Sequence, residues 1–459
     1  MEILSREEAL FRTAPVGRAI ASLAVPTILS QVITVIYNMA DTFFIGQLGD
    51  PNQVAAATIA MPPFMILTAL ANLFGVGGAS LISRALGAGD REKAGRGSAF
   101  CIWAAGCAAV VYSLVMLFFR PLLLPVLGAD AATYRFASSY LFWTITLGAL
   151  PSVLNPMLAH LVRAEGYARQ ASFGVALGGV LNIALDPLFL FVLKMDIIGA
   201  AIATLLSNAA AMVYFFVFLR RIRRESALRT SPRCVSLRGG IAGEVFAIGL
   251  PSCLVSVMAT ISNTALNHII AGYSNEAVAG MGIAKKLNLL AFAVGQGITQ
   301  GTLPLIGYNY SSGDRARMLR AVRVLLADCI AVSLAVTAVL YFCAAPIARS
   351  FIDNAETVSH AQTFLRIICL ACPTSTLIFF AMTVFQATGR RIQPIVLSML
   401  RKGALDVPLM FLFDRLIGLK GIAWATPAAD ILSLAAAAAM LLPHLRRLSG
   451  EGAGEKLPC

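Results

Sequence analysis

Two aspartates stand where aspartate is costly. Asp41 lies near the far end of the apolar run Thr27 to Asp50, and Asp186 lies within GGVLNIALDPLF. A carboxylate in a bilayer-length apolar helix costs roughly 2.5–3.5 kcal/mol even on insertion scales, so it requires a partner. Asn182 precedes Asp186 by four residues, which stacks amide and carboxyl on one helix face. Pro187 lacks an N–H and frees the carbonyl one turn earlier. Asp186 and Thr204 each lie nine residues from the turn near Met195, about 13 Å inward at a rise of 1.5 Å per residue. Asp41 lies eight or nine residues before the turn at Gly49–Asp50, at the same depth. Two carboxylates, an amide and a hydroxyl from three helices can therefore meet in one layer. Such oxygen donors suit a hard monovalent cation such as Na+, or a proton held between two buried acids. The plainer alternative is that Asp41 and Asp186 only hydrogen-bond one helix to another.

The elements that position these groups follow from hydropathy. The chain has 459 residues, 58% of them hydrophobic and only 13% charged, with a mean hydropathy of +0.79. A charged fraction near 25% is usual for soluble domains, so this is a membrane protein. Apolar runs fall at about 18–46, 53–83, 95–120, 134–162, 168–193, 198–222, 242–271, 277–307, 318–346, 357–387, 392–413 and 419–445. Each is long enough for a helix across a bilayer core of about 30 Å, and too long for a barrel strand. Lys and Arg alternate sides. With the N-terminus inside, 25 fall on the cytoplasmic side and six outside, which places both termini in the cytoplasm. The net charge of +13 is this topogenic charge and no nucleic-acid footprint. Residues 1–17 lack the apolar core of a signal peptide. The nine cysteines lie mostly in apolar runs and read as small hydrophobes; Cys369 and Cys372 form a CxxC that suits helix packing.

The two halves repeat. An offset of 220 to 225 residues brings LAVPTILSQV onto IGLPSCLVSV, GAGDREKAGR onto SSGDRARMLR and IALDPLFLF onto GALDVPLMF. Pro26 meets Pro251, Asn38 meets Asn263, Asp186 meets Asp406 and Thr204 meets Thr426. Each unit holds an even number of spans, so the copies share one orientation. The expected fold is an all-α membrane protein with twelve transmembrane helices in two six-helix bundles, related by a pseudo-two-fold axis along the membrane normal. The expected organisation is a cytoplasmic segment 1–17, an N-lobe 18–222, a cytoplasmic loop 223–240, a C-lobe 241–446 and a tail 447–459.

The run YNMADTFFIGQLGD, with ANLFGVGGASLISRALGAGD, the RAEG and QATG pair and LNIALDP, resembles the multidrug and toxic compound extrusion (MATE) family, and within it the DinF/MepA-like bacterial branch. The similarity covers about residues 15–445. It implies a 6+6 helical exporter of amphipathic, often cationic, small molecules in the bacterial inner membrane, driven by Na+ or H+ and working by alternating access. By motif, Asp41, Asn182, Asp186 and Thr204 match the N-lobe cation site of that branch, and Asn155 a polar residue of the same lobe. Tyr37 and Asn38 join Asn155 as expected cavity-lining residues. Leu266 stands opposite Asp41, so the second half lacks a complete copy of the acid pair. No cofactor and no nucleic-acid partner are expected, only the coupling ion, small-molecule substrates and the lipid bilayer, with the chain acting as a monomer.

Other intramembrane charges need partners. Lys285, Lys286, Asp328, Arg401, Lys402, Asp406 and Asp430 lie inside apolar runs of the second half, and pairs of Arg401 or Lys402 with Asp406 or Asp328 are expected. They serve either charge-balanced packing or contact with substrate. Pro26 is either a fixed kink or a hinge for the first helix. A flippase for lipid-linked oligosaccharides is the competing transport function, against which the Asp41/Asp186 layer argues. No HExxH, GxSxG or intramembrane His/Cys grouping supports an enzyme, and the four histidines show no metal-ligand spacing.

Overall fold

The computed structural model describes residues 8–236, 238–270, 272–349 and 355–450. Its long helices are α1 (Val16–Gly46), α2 (Pro51–Gly87), α3 (Arg91–Val126), α4 (Tyr134–Leu147 and Ala149–Ala164), α5 (Ala168–Val192) and α6 (Asp196–Arg221). The second set is α7 (Ile241–Ile270), α8 (Asn275–Ser311), α9 (Arg315–Phe342), α10 (Ala355–Ile368 and Ala371–Ala387), α11 (Ile392–Met399, Leu400–Leu405 and Asp406–Ile417) and α12 (Leu419–Gly450). These fall on the twelve predicted runs. Nine are continuous and apolar enough to cross a bilayer, while α4 and α10 bend by 51° and 40°. The remaining helix, α11, is less apolar because Arg401, Lys402 and Asp406 interrupt it.

The duplication is visible in matched caps. Asp90 accepts a hydrogen bond from the Lys93 amide (2.8 Å) and Asp314 one from the Arg317 amide (2.9 Å), so both carboxylates close the first turn of the third helix of their half. The preceding Gly89 and Gly313 have φ of 79° and 82°, a region that glycine enters without a Cβ clash.

Two compact units form, one from the chain up to Ile28 and from Met258 onward, the other from Leu29 to Val257. The boundary crosses α1 and α7, and so departs from the halves 18–222 and 241–446. In the second unit the first half of α7 packs on α2. A Cβ on Gly249 would fall 1.8 Å from the Leu73 carbonyl oxygen, and one on Gly77 would fall 2.2 Å from that of Val245. Glu244 adds ion pairs to Arg84 (3.1 Å) and Lys93 (2.7 Å). In the first unit α1 lies against α8, where a Cβ on Gly297 would approach the Ile28 Cα at 2.6 Å. Only small residues permit backbones so close.

The connecting segments are more anchored than their polarity suggests. Phe11 is fully buried, and its carbonyl accepts from Asn309 (3.1 Å) and Arg317 Nε (2.7 Å). Residues 1–7 and 451–459 of the predicted terminal segments lie outside the described residues. In the loop between the halves, the buried Glu165 carboxylate accepts from Ser226 Oγ (2.6 Å) and from the Ala227 amide, and Trp103 Nε1 donates to the Thr230 carbonyl (3.0 Å). Cys369 and Cys372 are free thiols packed with Ala291 and Leu340, a packing role as expected.

Candidate cation site

The layer forms where α5 presents one face to α1. Gly179, Asn182 and Asp186 are spaced i, i+3, i+7 and share that face. A Cβ on Gly179 would lie 3.0 Å from Tyr37 Cδ1 and 2.8 Å from Ile33 Cγ2, so Ile33 and Tyr37 of α1 seat directly on it. Asp41 is one turn beyond Tyr37 on the same side of α1. The Asp41 and Asp186 carboxylates accordingly lie within electrostatic reach of each other.

Around Asp186 the hydrogen bonds are few and long. Asn182 Nδ2 donates to Asp186 Oδ1 and to Thr204 Oγ1, both at 3.4 Å. Asp186 is 0% exposed and Asn182 2%. Asp186 Oδ2, Asn182 Oδ1 and Asp41 Oδ1 are buried and have no hydrogen-bond partner among the described residues. A buried polar atom left unpaired costs about 1–3 kcal/mol, more when charged, so three such oxygens in one layer are a strong demand for a positive ligand. Na+ would meet carboxylate, amide and hydroxyl oxygens here, and a proton would convert one carboxylate into a donor for the other. Immediately beyond Pro187 the helix runs on as a π turn, Leu188–Val192. Such turns leave main-chain carbonyls free to turn toward a ligand.

Two neighbours were missed in the sequence. Asn208, one turn past Thr204, accepts from Asn155 Nδ2 (3.0 Å) and donates to the Thr204 carbonyl (2.9 Å). It ties the predicted cavity residue Asn155 to the layer; the signal was the i, i+4 spacing of Thr204 and Asn208. Tyr140 of α4 lies within electrostatic reach of Asp41, Asp186 and Tyr37. Asn38 is exposed and its Nδ2 donates back to the Thr34 carbonyl (2.9 Å).

Two buried ion pairs form in the second half. Arg401 Nε donates to Asp430 Oδ1 (2.7 Å), and its NH2 group donates to Ser375 Oγ (2.7 Å). The guanidinium also lies over the rings of Phe379 and Phe292, 5.0 and 5.6 Å from their centroids. Lys402 Nζ lies 2.9 Å from Asp406 Oδ2. The expected Lys402–Asp406 pair is therefore present, whereas Arg401 takes Asp430 and not Asp406 or Asp328. Asp328 makes no hydrogen bond or ion pair among the described residues and lies outside this network. Leu266, opposite Asp41 in the repeat, is buried in an apolar cluster with Ala284, Phe364, Met410 and Ile422.

Comparison with known proteins places this geometry. The MatE family pattern matches the chain twice, over residues 26–188 and 251–412, one match in each repeat. Multidrug export protein MepA of Staphylococcus saprophyticus is 30% identical over 437 residues, covering 95% of each chain. Its namesake from Staphylococcus aureus is 29% identical over the same length and coverage. An outward-facing multidrug resistance MATE family transporter of the MOP superfamily shares the fold, with a TM-score of 0.91, 24% identity, and coverage of 98% of this chain and 100% of its own. With both repeats matched and full-length relatives at this identity, the chain belongs to the MatE family of membrane transporters, the MATE transporters.

Proposed function

We propose that this chain is an antiporter that exports amphipathic, often cationic, compounds in exchange for Na+ or H+, with Asp41, Asn182, Asp186 and Thr204 as its coupling site. The observation that carries it is a layer with two carboxylates and three buried oxygens that lack a hydrogen-bond partner among the described residues. Two carboxylates within electrostatic reach of each other in a buried layer repel, which a bound cation or proton relieves. The export of unlike molecules by the MepA relatives supports the substrate class. One charge moving inward across 100 mV supplies about 2.3 kcal/mol, enough for a roughly fifty-fold substrate gradient.

In this mechanism Asp41 and Asp186 hold the cation, Asn182 and Thr204 share its coordination or the proton's hydrogen bonds, and Asn208 and Asn155 orient them. Pro26 supplies a flexible point in α1, since its missing N–H leaves the Ser22 carbonyl without its helical donor and the unit boundary falls two residues on. The protein acts as a monomer in the bacterial inner membrane, with both termini cytoplasmic as the charge asymmetry requires. Efflux of a fluorescent organic cation from proteoliposomes tests the proposal. Asp41→Asn and Asp186→Asn should each abolish gradient-driven efflux, and full activity in both variants would remove its basis.

A further inference from the structure

The coupling layer has a second copy, and that copy is filled. Asn182 and Asp186 meet Lys402 and Asp406 at an offset of 220, Thr204 meets Thr426 at 222, and Tyr37 meets Ser262 at 225. The carboxylate, the i, i+4 partner and the hydroxyl are thus kept, but an amide has become an ammonium. Asp406, 0% exposed like Asp186, accepts from Lys402 Nζ (2.9 Å) and Ser262 Oγ (2.6 Å) on Oδ2, and from Thr426 Oγ1 (3.0 Å) on Oδ1. Neither Asp406 oxygen is orphaned, whereas Asp186 has one long hydrogen bond and an unpartnered Oδ2.

We propose that Lys402 is the resident cation of the C-terminal copy, holding by its covalent tether the place that a diffusible monovalent cation takes in the N-terminal copy. The transporter therefore couples through one site and not two, and Lys402 sets that number. The inference rests on the assignment of Asp41 and Asp186 as the coupling site. An ammonium and Na+ are both compact monovalent cations that attract carboxylate and hydroxyl oxygens, which is why one can stand in for the other. The charged groups that face the pair are few. Lys285 of α8 donates to Asn263 Oδ1 (2.5 Å) and lies within electrostatic reach of both Lys402 and Asp406. The N-terminal layer thus carries two acids, and its copy one acid with two bases.

The test counts cations on purified, folded protein: radioactive Na+ binding at fixed pH in one arm, and proton uptake across the physiological pH range without Na+ in the other. In the arm that registers binding, wild type should hold one cation, Lys402→Asn two, and Lys402→Arg one, because Arg keeps the tethered charge. Asp41→Asn/Asp186→Asn should hold none, and the same protein with Lys402→Asn added should hold one. Each is repeated with Lys285→Met, so that the second ammonium cannot take the vacated place. A merely structural Lys402 would change stability without changing the count. If the Asp41→Asn/Asp186→Asn/Lys402→Asn protein binds neither ion, with or without Lys285→Met, the proposal is overturned. If wild type binds nothing while Lys402→Asn/Lys285→Met binds one, the role of Lys402 stands and the coupling role of Asp41 and Asp186 falls. Should Lys402→Asn be lost on purification, extraction at saturating Na+ or lowered pH must recover it if a cation replaces the ammonium. No recovery by either overturns the proposal.

Discussion

Removing Asp430 isolates the cost of a buried charge in this fold. Arg401 is fixed by Asp430 Oδ1 (2.7 Å), Asp430 Oδ2 (3.3 Å) and Ser375 Oγ (2.7 Å), with 5% and 1% of the two charged side chains exposed. Taking one partner from such a pair costs about 3–5 kcal/mol, because the other charge stays buried. The Phe292 and Phe379 faces and the Ser375 hydroxyl remain for the guanidinium, which puts Asp430→Ala toward the lower end, about 3 kcal/mol. The double variant Arg401→Met/Asp430→Leu removes both charges and fills the volume, and should lie within about 1 kcal/mol of wild type or above it. Thermal unfolding in detergent ranks the three proteins, and transport in proteoliposomes reports function. The single variant should melt well below the double, and the double should transport. A single variant as stable as the double would refute the buried-pair energetics, and a stable double without transport would give the pair a functional role.

Gly249→Ala drives a methyl into the Leu73 carbonyl, 1.8 Å from the ideal Cβ position, and should cost at least the 1–3 kcal/mol typical of overpacking; Gly243→Ala on the same helix, with no atom within 4 Å, is the control in a melting comparison. Glu165→Ala frees Ser226 and the Ala227 amide, so limited trypsin digestion should cut after Arg229 several-fold faster than in wild type, with unchanged rates elsewhere. Asn208→Ala strips the acceptor from Asn155 Nδ2 and the cross-link to Thr204, and should weaken coupling-ion affinity about ten-fold, read as a shift in the ion concentration for half-maximal efflux.

Much of this was legible in the sequence because membrane physics leaves few choices. Twelve apolar runs became twelve helices, since only helices satisfy the backbone in lipid without closing a barrel. Asn182 and Asp186 were placed together by i, i+4 spacing, and matched depth joined Thr204 to them. Sequence could not decide which helix each face meets. Arg401 and Lys402 are adjacent, so their side chains diverge by about 100° and reach different neighbours, Asp430 and Asp406. The π turn Leu400–Leu405 changes that phase again, and an apolar run carries no mark of it. Asp328 has the right residue type but makes no ion pair among the described residues. The close backbone approaches at Gly249 and Gly297 were also hidden, because hydropathy does not register them. Asn208 and Lys402 were different: spacing and repeat offset mark both, and each needed only its counterpart, Thr204 or Asn182, as a reference.

The most direct test of the coupling site follows the ion itself. Substrate added to one side of wild-type proteoliposomes, with no other gradient, should drive Na+ or H+ the opposite way, seen as tracer Na+ release or as a signal from a trapped pH dye. Asp186→Asn vesicles should show no such ion movement. Substrate transport by wild type with neither ion moving, or ion movement intact in Asp186→Asn, would contradict the account.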